Sequence, residues 1–216
     1  MLNKLAILLD KISVKIKKSN CKRSYKAFIK KYNLTDGSKH QKTIVSYNSY
    51  EGTSISLAQK LVSSGEINKD DKIFDIGCGA GIFLSFLWVN GYKNLQGIEL
   101  NKELYDLCVN NLEMLGCPTK KIFNEDAIYF SGYDDSNVFY LFNPFYDSDT
   151  YLKWIENIRN SYLRNKRKIK LVILFPTISS VSAINNNKWL KKKTRIYDEN
   201  QVCSKCVNYL IYESED

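Results

Sequence analysis

The sequence predicts an α/β fold: a doubly wound, mostly parallel, seven-stranded sheet with a C-terminal antiparallel hairpin and an N-terminal helical extension. Three observations predict it. Short apolar runs alternate with segments of helical period from residue 72 onward. A glycine-rich bend, Asp75-Ile-Gly-Cys-Gly-Ala-Gly81, joins the first of these runs to the first helix of the series. The last two strand-like segments are linked by a polar stretch, as in a hairpin.

The elements follow in order. Leu2, Leu5, Leu9, Ile12 and Ile16 recur at helical spacing, with Lys4, Lys11, Lys15 and Lys18 on another face. A second helical piece, Lys22 to Tyr32, ends near Asn33 and the turn Thr35-Asp36-Gly37. Thr53–Leu61 reads as a short helix leading into the core. Lys72–Ile76 is the first strand, followed by the bend and a helix over Ile82–Asn90. Asn94–Leu100 is the second strand, with a helix over Lys102–Leu115 closed by Gly116-Cys117-Pro118. Lys121–Asn124 and Val138–Phe142 are the third and fourth strands, and Ser148–Leu163 is the next helix. Ile169–Phe175 is apolar on both faces, as a central parallel strand must be. The tail has no such helix between its strands, Trp189–Tyr197 and Val207–Tyr212. No internal repeat or low-complexity linker interrupts the pattern.

Charge divides the chain in two. Residues 1–43 hold twelve of the 32 Lys and Arg but only two of the 23 acids, Asp10 and Asp36. The remainder is nearly neutral, so the net charge of +9 belongs to the N-terminal part. We therefore divide the chain into a basic helical extension, 1–43, and a core domain, 44–216. The basic face suits a polyanionic surface, an anionic membrane or a partner; a solvated helix face is the plain alternative.

No apolar run reaches the length of a membrane span, and the opening residues lack a cleavable leader pattern. The six cysteines, scattered at 21, 78, 108, 117, 203 and 206, do not form a secreted disulfide framework. A cytoplasmic protein is expected. Cys203-Ser-Lys-Cys206 has no second pair to complete four metal ligands, so no metal is expected. His40, the sole histidine, lies outside every motif. Arg164-Asn-Lys-Arg-Lys168 and Lys191-Lys-Lys193 read as solvated strand starts, with a nucleic-acid surface as the alternative.

The bend carries the chemistry. Gly77, Gly79 and Gly81 let backbone approach a ligand without Cβ atoms in the way, and the following helix points its free N–H groups there. The spacing is Gly-x-Gly-x-Gly with an acid two residues before it. A dinucleotide fold has Gly-x-Gly-x-x-Gly and no acid there, because the acid would repel its pyrophosphate. Asp75 instead favours a cationic group. Glu99 ends the second strand, where a carboxylate can accept from ribose hydroxyls. Asp126-Ala127 follows the third strand, where an acid can meet an adenine amino group and a backbone N–H a ring nitrogen.

On these residues the sequence resembles the class I, Rossmann-like S-adenosylmethionine-dependent methyltransferases. Asp75–Gly81 is similar to their first motif, Gly97-Ile-Glu-Leu100 to the second, Asn124-Glu-Asp-Ala127 to the third and Leu141-Phe-Asn-Pro-Phe145 to the fourth. The resemblance spans roughly residues 44–213 and implies S-adenosyl-L-methionine as cofactor, with Cys78, Leu100, Ala127 and Asn143 joining the acids and glycines around it. Tyr50-Glu-Gly-Thr-Ser54 resembles a segment that closes over the methionine end, which would assign Tyr50 and Thr53 to the cofactor; Gly52 stands where proline is usual. A helix N-cap at Thr53 is the alternative.

Asn143-Pro144-Phe145 resembles a shortened Asn-Pro-Pro-Tyr/Phe motif of amino-methylating enzymes. The resemblance implies that Asn143 and a nearby carbonyl accept from a nitrogen nucleophile while the aromatic face tolerates the developing cation. In the alternative reading Asn143 caps the loop, Pro144 stiffens it and Phe145 is core. The acceptor expected is a small molecule, glycan or protein, with an amine favoured over a hydroxyl. A nucleic acid and a non-catalytic binding module are the competing readings. Oligomeric state is not encoded in any motif.

Overall fold

A computed structural model describes residues 23–40, 50–197 and 207–215 of the 216. The lysine-studded pattern of residues 2–18 and the Cys203/Cys206 pair lie outside the described residues.

Seven strands form one sheet: β1 (Ile73–Ile76), β2 (Leu95–Ile98), β3 (Ile122–Phe123), β4 (Val138–Leu141), β5 (Lys170–Leu174), β6 (Leu190–Tyr197) and β7 (Val207–Ser214). Their spatial order is β3-β2-β1-β4-β5-β7-β6. The first five are parallel, and β7 runs antiparallel between β5 and β6. The winding reverses between β1 and β4, the switch point at which open α/β sheets leave a crevice. β1 and β4 are buried along their whole length, because helices cover both faces.

The helices are α1 (23–32), α2 (Ile55–Ser63), α3 (Ile82–Val89), α4 (Lys102–Met114), α5 (Ser148–Arg164) and α6 (Ile178–Asn185). Side chains alternate along β4 as its pleat requires. Val138 and Tyr140 join a core with α1, α2, α3 and α4, and Phe139 and Leu141 join one with α5 and α6. Asn101 caps α4 by accepting from the amides of Glu103 and Leu104, and Asp147 caps α5 by accepting from Thr150.

One element departs from the sequence expectation. Helix α6 lies between β5 and β6, over residues to which the sequence pattern assigns no element. Its sequence, Ile-Ser-Ser-Val-Ser-Ala-Ile-Asn, is serine-rich and short, and its first apolar residue, Ile178, faces solvent. The helical signal is therefore weak. What fixes its start is a reciprocal cap between Thr177 and Ser180, with serine in the place usually held by Glu or Gln.

The described part of the N-terminal segment packs on the core. Phe28 and Leu34 are buried in the same cluster as Phe83 and Phe86, with the Phe28 and Phe86 rings 6.0 Å apart. Asn33, at φ 54°, turns the chain out of α1. A single 3-10 turn, Gly37–His40, follows.

Candidate functional site

β1 delivers Asp75 to the carboxyl edge of the sheet, in register with Gly97 on β2 and Tyr140 on β4. Beyond it the chain must turn within a few residues into α3. The amides of Gly77 and Cys78 both donate to the Ile98 carbonyl, at 2.9 and 3.0 Å. Gly77, Gly79 and Gly81 all take the left-handed conformation that a side chain resists. At Gly79 there is also no space: a Cβ there would lie 2.2 Å from Cε2 of Tyr50.

Asp75 is 4% exposed. Burial, then the neighbouring Glu99 carboxylate, push its pKa well above the ordinary carboxylate range. Burial also raises Glu99, opposed by the backbone N–H groups that it accepts from. Glu99 Oε2 accepts from Gly79 at 2.9 Å and Oε1 from Asn101 at 2.8 Å. Two acids thus share one desolvated neighbourhood, an arrangement that favours an added positive charge.

A narrow cleft, partly open to solvent, lies at this edge. Asp75, Gly77 and Cys78 form its base, and Tyr50, Glu51 and Thr53 one wall. The other wall is apolar: Phe83 stacks on Tyr140 with centroids 3.8 Å apart, and Phe142 completes the rim. The Thr53 and Tyr140 hydroxyls are hydrogen-bonded at 2.9 Å. No Lys, Arg or His lines this cleft among the described residues.

The sequence-chosen residues are not all brought together. Tyr50, Thr53, Asp75, Gly77 and Cys78 meet at the cleft. Gly79 sits under Tyr50, and Gly81 packs on Cys108, whose thiol lies 3.8 Å from that of Cys78. Glu99 holds the bend but does not wall the cleft. Leu100 lends its carbonyl, with that of Glu99, to the Asn124 side-chain amide, which ties the ends of β2 and β3. Asp126 accepts from the amide of Ile128 at the next turn, and the buried Ala127 accepts from the Tyr133 hydroxyl.

Asn143 stands at φ 46° just past β4, and Pro144 abuts the bend, its Cβ 3.1 Å from where a Gly77 Cβ would stand. Phe145 turns the other way. It is 1% exposed and packs against Tyr151 and Trp154, so its ring belongs to the core under α5, not to the cleft. The aromatic residue that reaches the cleft is Phe142, paired with Phe175 at the end of β5 with centroids 5.9 Å apart. Phe175, like Asn143, has a left-handed backbone (φ 48°), and strained residues of this kind gather at ligand sites. Sequence reasoning missed Phe83, Tyr140 and Phe142, which look like ordinary core residues. Among the described residues no group of His, Cys, Asp and Glu could hold a metal ion, and no helix is long and apolar enough to cross a membrane.

No family model matches the sequence, and no curated protein does. Solved structures match closely in shape. A proposed RNA methyltransferase from Pyrococcus horikoshii superposes with a TM-score of 0.60 at 16% identity, covering 92% of this chain and 100% of that one. Magnesium protoporphyrin IX methyltransferase from Synechocystis, solved with bound S-adenosylmethionine, gives 0.54 at 13%, over 74% and 77%. A S-adenosylmethionine-dependent methyltransferase from Aquifex aeolicus gives 0.54 at 13%, over 73% and 89%. The chain has the Rossmann-like fold of class I methyltransferases.

Proposed function

We propose that the protein is a S-adenosyl-L-methionine-dependent methyltransferase. The observation that carries this reading is the buried Asp75 carboxylate at a glycine bend, within the field of Glu99 and with no basic residue lining its cleft among those described. That donor set suits a cationic amino-acid end and a sulfonium, and disfavours a pyrophosphate. The residues fit the cofactor. Asp75 would hold its ammonium, the Gly77–Gly79 backbone its floor, Tyr50 and Thr53 its methionine end, and Glu99 its ribose hydroxyls. Asp126 and Ala127 would meet the adenine.

When bound, the cofactor supplies an electrophilic methyl group, so acid–base chemistry on the protein is secondary. The chain's part is to orient and to exclude water. Asn143, just past β4, is the residue proposed to direct an acceptor's lone pair. Phe142, backed by Phe175, would give the cleft an apolar surface that keeps water from the reacting centre.

The acceptor favoured is an amine on a small molecule, glycan or protein, since Glu51 and Asp75 make the cleft attractive to cations. A nucleic-acid acceptor is the second reading, supported by the basic residues of 1–43 and by the Pyrococcus neighbour. The test is transfer of tritiated methyl from S-adenosylmethionine into cell extract fractionated by size and nuclease treatment. Label in a nuclease-resistant, amine-linked fraction is expected. Label confined to nuclease-sensitive material selects the second reading, and no transfer above a boiled control in any fraction contradicts both.

A further inference from the structure

The segment before the core domain is tied to the glycine bend and to the Tyr50 segment beside it. The first contact is Asn111 on α4, 1% exposed. Its Oδ1 accepts from the Thr35 amide at 2.7 Å, and its Nδ2 donates to the carbonyls of Thr35 at 3.0 Å and Ala80 at 2.8 Å. One buried amide therefore joins the N-terminal strap to the bend itself. The second contact is Tyr25 on α1. Its hydroxyl donates to Asp36 at 3.1 Å and lies 3.3 Å from the hydroxyl of Tyr50. Gly52 makes room for it, since a Cβ at 52 would fall 2.4 Å from that oxygen.

Between the strap and the bend lies the ring of Tyr50. A Cβ on Gly79 would stand 2.2 Å from the ring on one side, and a Cβ on Gly37 2.9 Å from it on the other. The ring is clamped between two glycines, one on the bend and one on the strap. It occupies the close approach that a bare Gly79 offers a ligand. The cleft reaches Asp75 and Gly77 past this ring, yet Glu99, bonded to the same Gly79, is not among its walls.

We infer that Tyr50 is a gate across the cofactor crevice, held closed by the strap through Tyr25 and Asn111. This rests on the cofactor reading above. In the closed form the ring fills the space over Gly79. The nucleoside reaches Glu99 only after the strap lifts and Tyr50 leaves its slot. Tyr25 and Asn111 are positioning residues: they touch no cofactor and set the fraction of molecules that are open. The observed affinity is the intrinsic affinity reduced by that fraction, so loosening the clasp must accelerate binding and tighten it.

The test is association and dissociation of S-adenosylhomocysteine on the full-length protein by surface plasmon resonance, for wild type, Tyr25→Phe and Asn111→Ala. The expected result is an association rate about fivefold higher for Tyr25→Phe and higher still for Asn111→Ala, with dissociation little changed, from the loss of hydrogen bonds made only in the closed form. A purely structural role lowers the melting temperature and does not raise an association rate. Asn111→Ala removes a buried side chain, so Tyr25→Phe carries the test if that variant fails to fold. Association rates unchanged or reduced in every folded variant, with the wild type binding normally, overturn the gate. No binding by wild type overturns the cofactor reading and the gate with it.

Discussion

The amide of Gly79 donates to Oε2 of Glu99 at 2.9 Å, fastening the tip of the glycine bend to the end of β2. The tip of the bend is therefore fixed in place by the same carboxylate proposed to receive the ribose. Glu99→Ala removes both functions. S-adenosylhomocysteine should bind about 10- to 150-fold more weakly, the range for losing a hydrogen bond to a charged group, and competition binding checks it. Unaltered affinity contradicts the placement of the nucleoside.

Asp75 gives a prediction with opposite signs for stability and binding. Its folded pKa is raised above the ordinary value of 3.8, so the folded state holds its proton to higher pH than the unfolded state does. Its favourable contribution is complete below that ordinary value and is lost as pH rises toward the folded one. Asp75→Asn removes this loss. The variant's gain in melting temperature over wild type should grow as pH rises from about 4 towards neutrality. The same variant should bind S-adenosylmethionine more weakly. A melting difference that shrinks with rising pH contradicts the electrostatics proposed.

Gly79→Ala tests the close contact with Tyr50. The new methyl group meets the ring at 2.2 Å, and the residue must keep φ at +54°. A loss of at least about 1 kcal/mol in chemical denaturation is expected, from left-handed backbone alone. Gly65→Ala is the control, since its φ is +72° but nothing lies within 4 Å of the added atom, so the difference between the two isolates the clash.

Phe145→Ala separates the core role from a role at the reacting centre. The ring is enclosed by Tyr151 and Trp154, so its removal should cost about 3–5 kcal/mol of stability. Phe142→Ala should cost less stability and alter the kinetics toward an acceptor more. Equal stability losses in the two variants contradict this assignment.

The glycine bend was legible from sequence because its requirement is local: three residues must take positive φ, and only glycine does so freely. Strand β4, and β5 beyond Lys170, were legible because burial on both faces leaves unbroken apolar runs, and β1 because only Asp75 interrupts its run. Helix α6 was not, since its start depends on a serine that answers Thr177 across three residues and its periodicity is faint. The site was harder to read. Asp75 and Glu99 stand at strand ends and announce themselves. Tyr140 and Phe83 reach the cleft only because β4 lies beside β1 and α3 packs over it, which is tertiary information. The aromatic residue of the motif ending in Phe145 that reaches the cleft is Phe142, three residues before Phe145, whose ring joins the core under α5. Asn111 lies mid-helix and its partner is 76 residues away, so no local pattern marks it.

We propose that one crevice, lined by a buried acid and a bare glycine bend, receives a sulfonium nucleoside. Isothermal titration of the wild-type protein with S-adenosylhomocysteine tests it most directly. One saturable site per chain is expected, weakened by Asp75→Asn and by Glu99→Ala. Heats no larger than dilution with S-adenosylhomocysteine and with S-adenosylmethionine alike, from protein shown to be folded, contradict it.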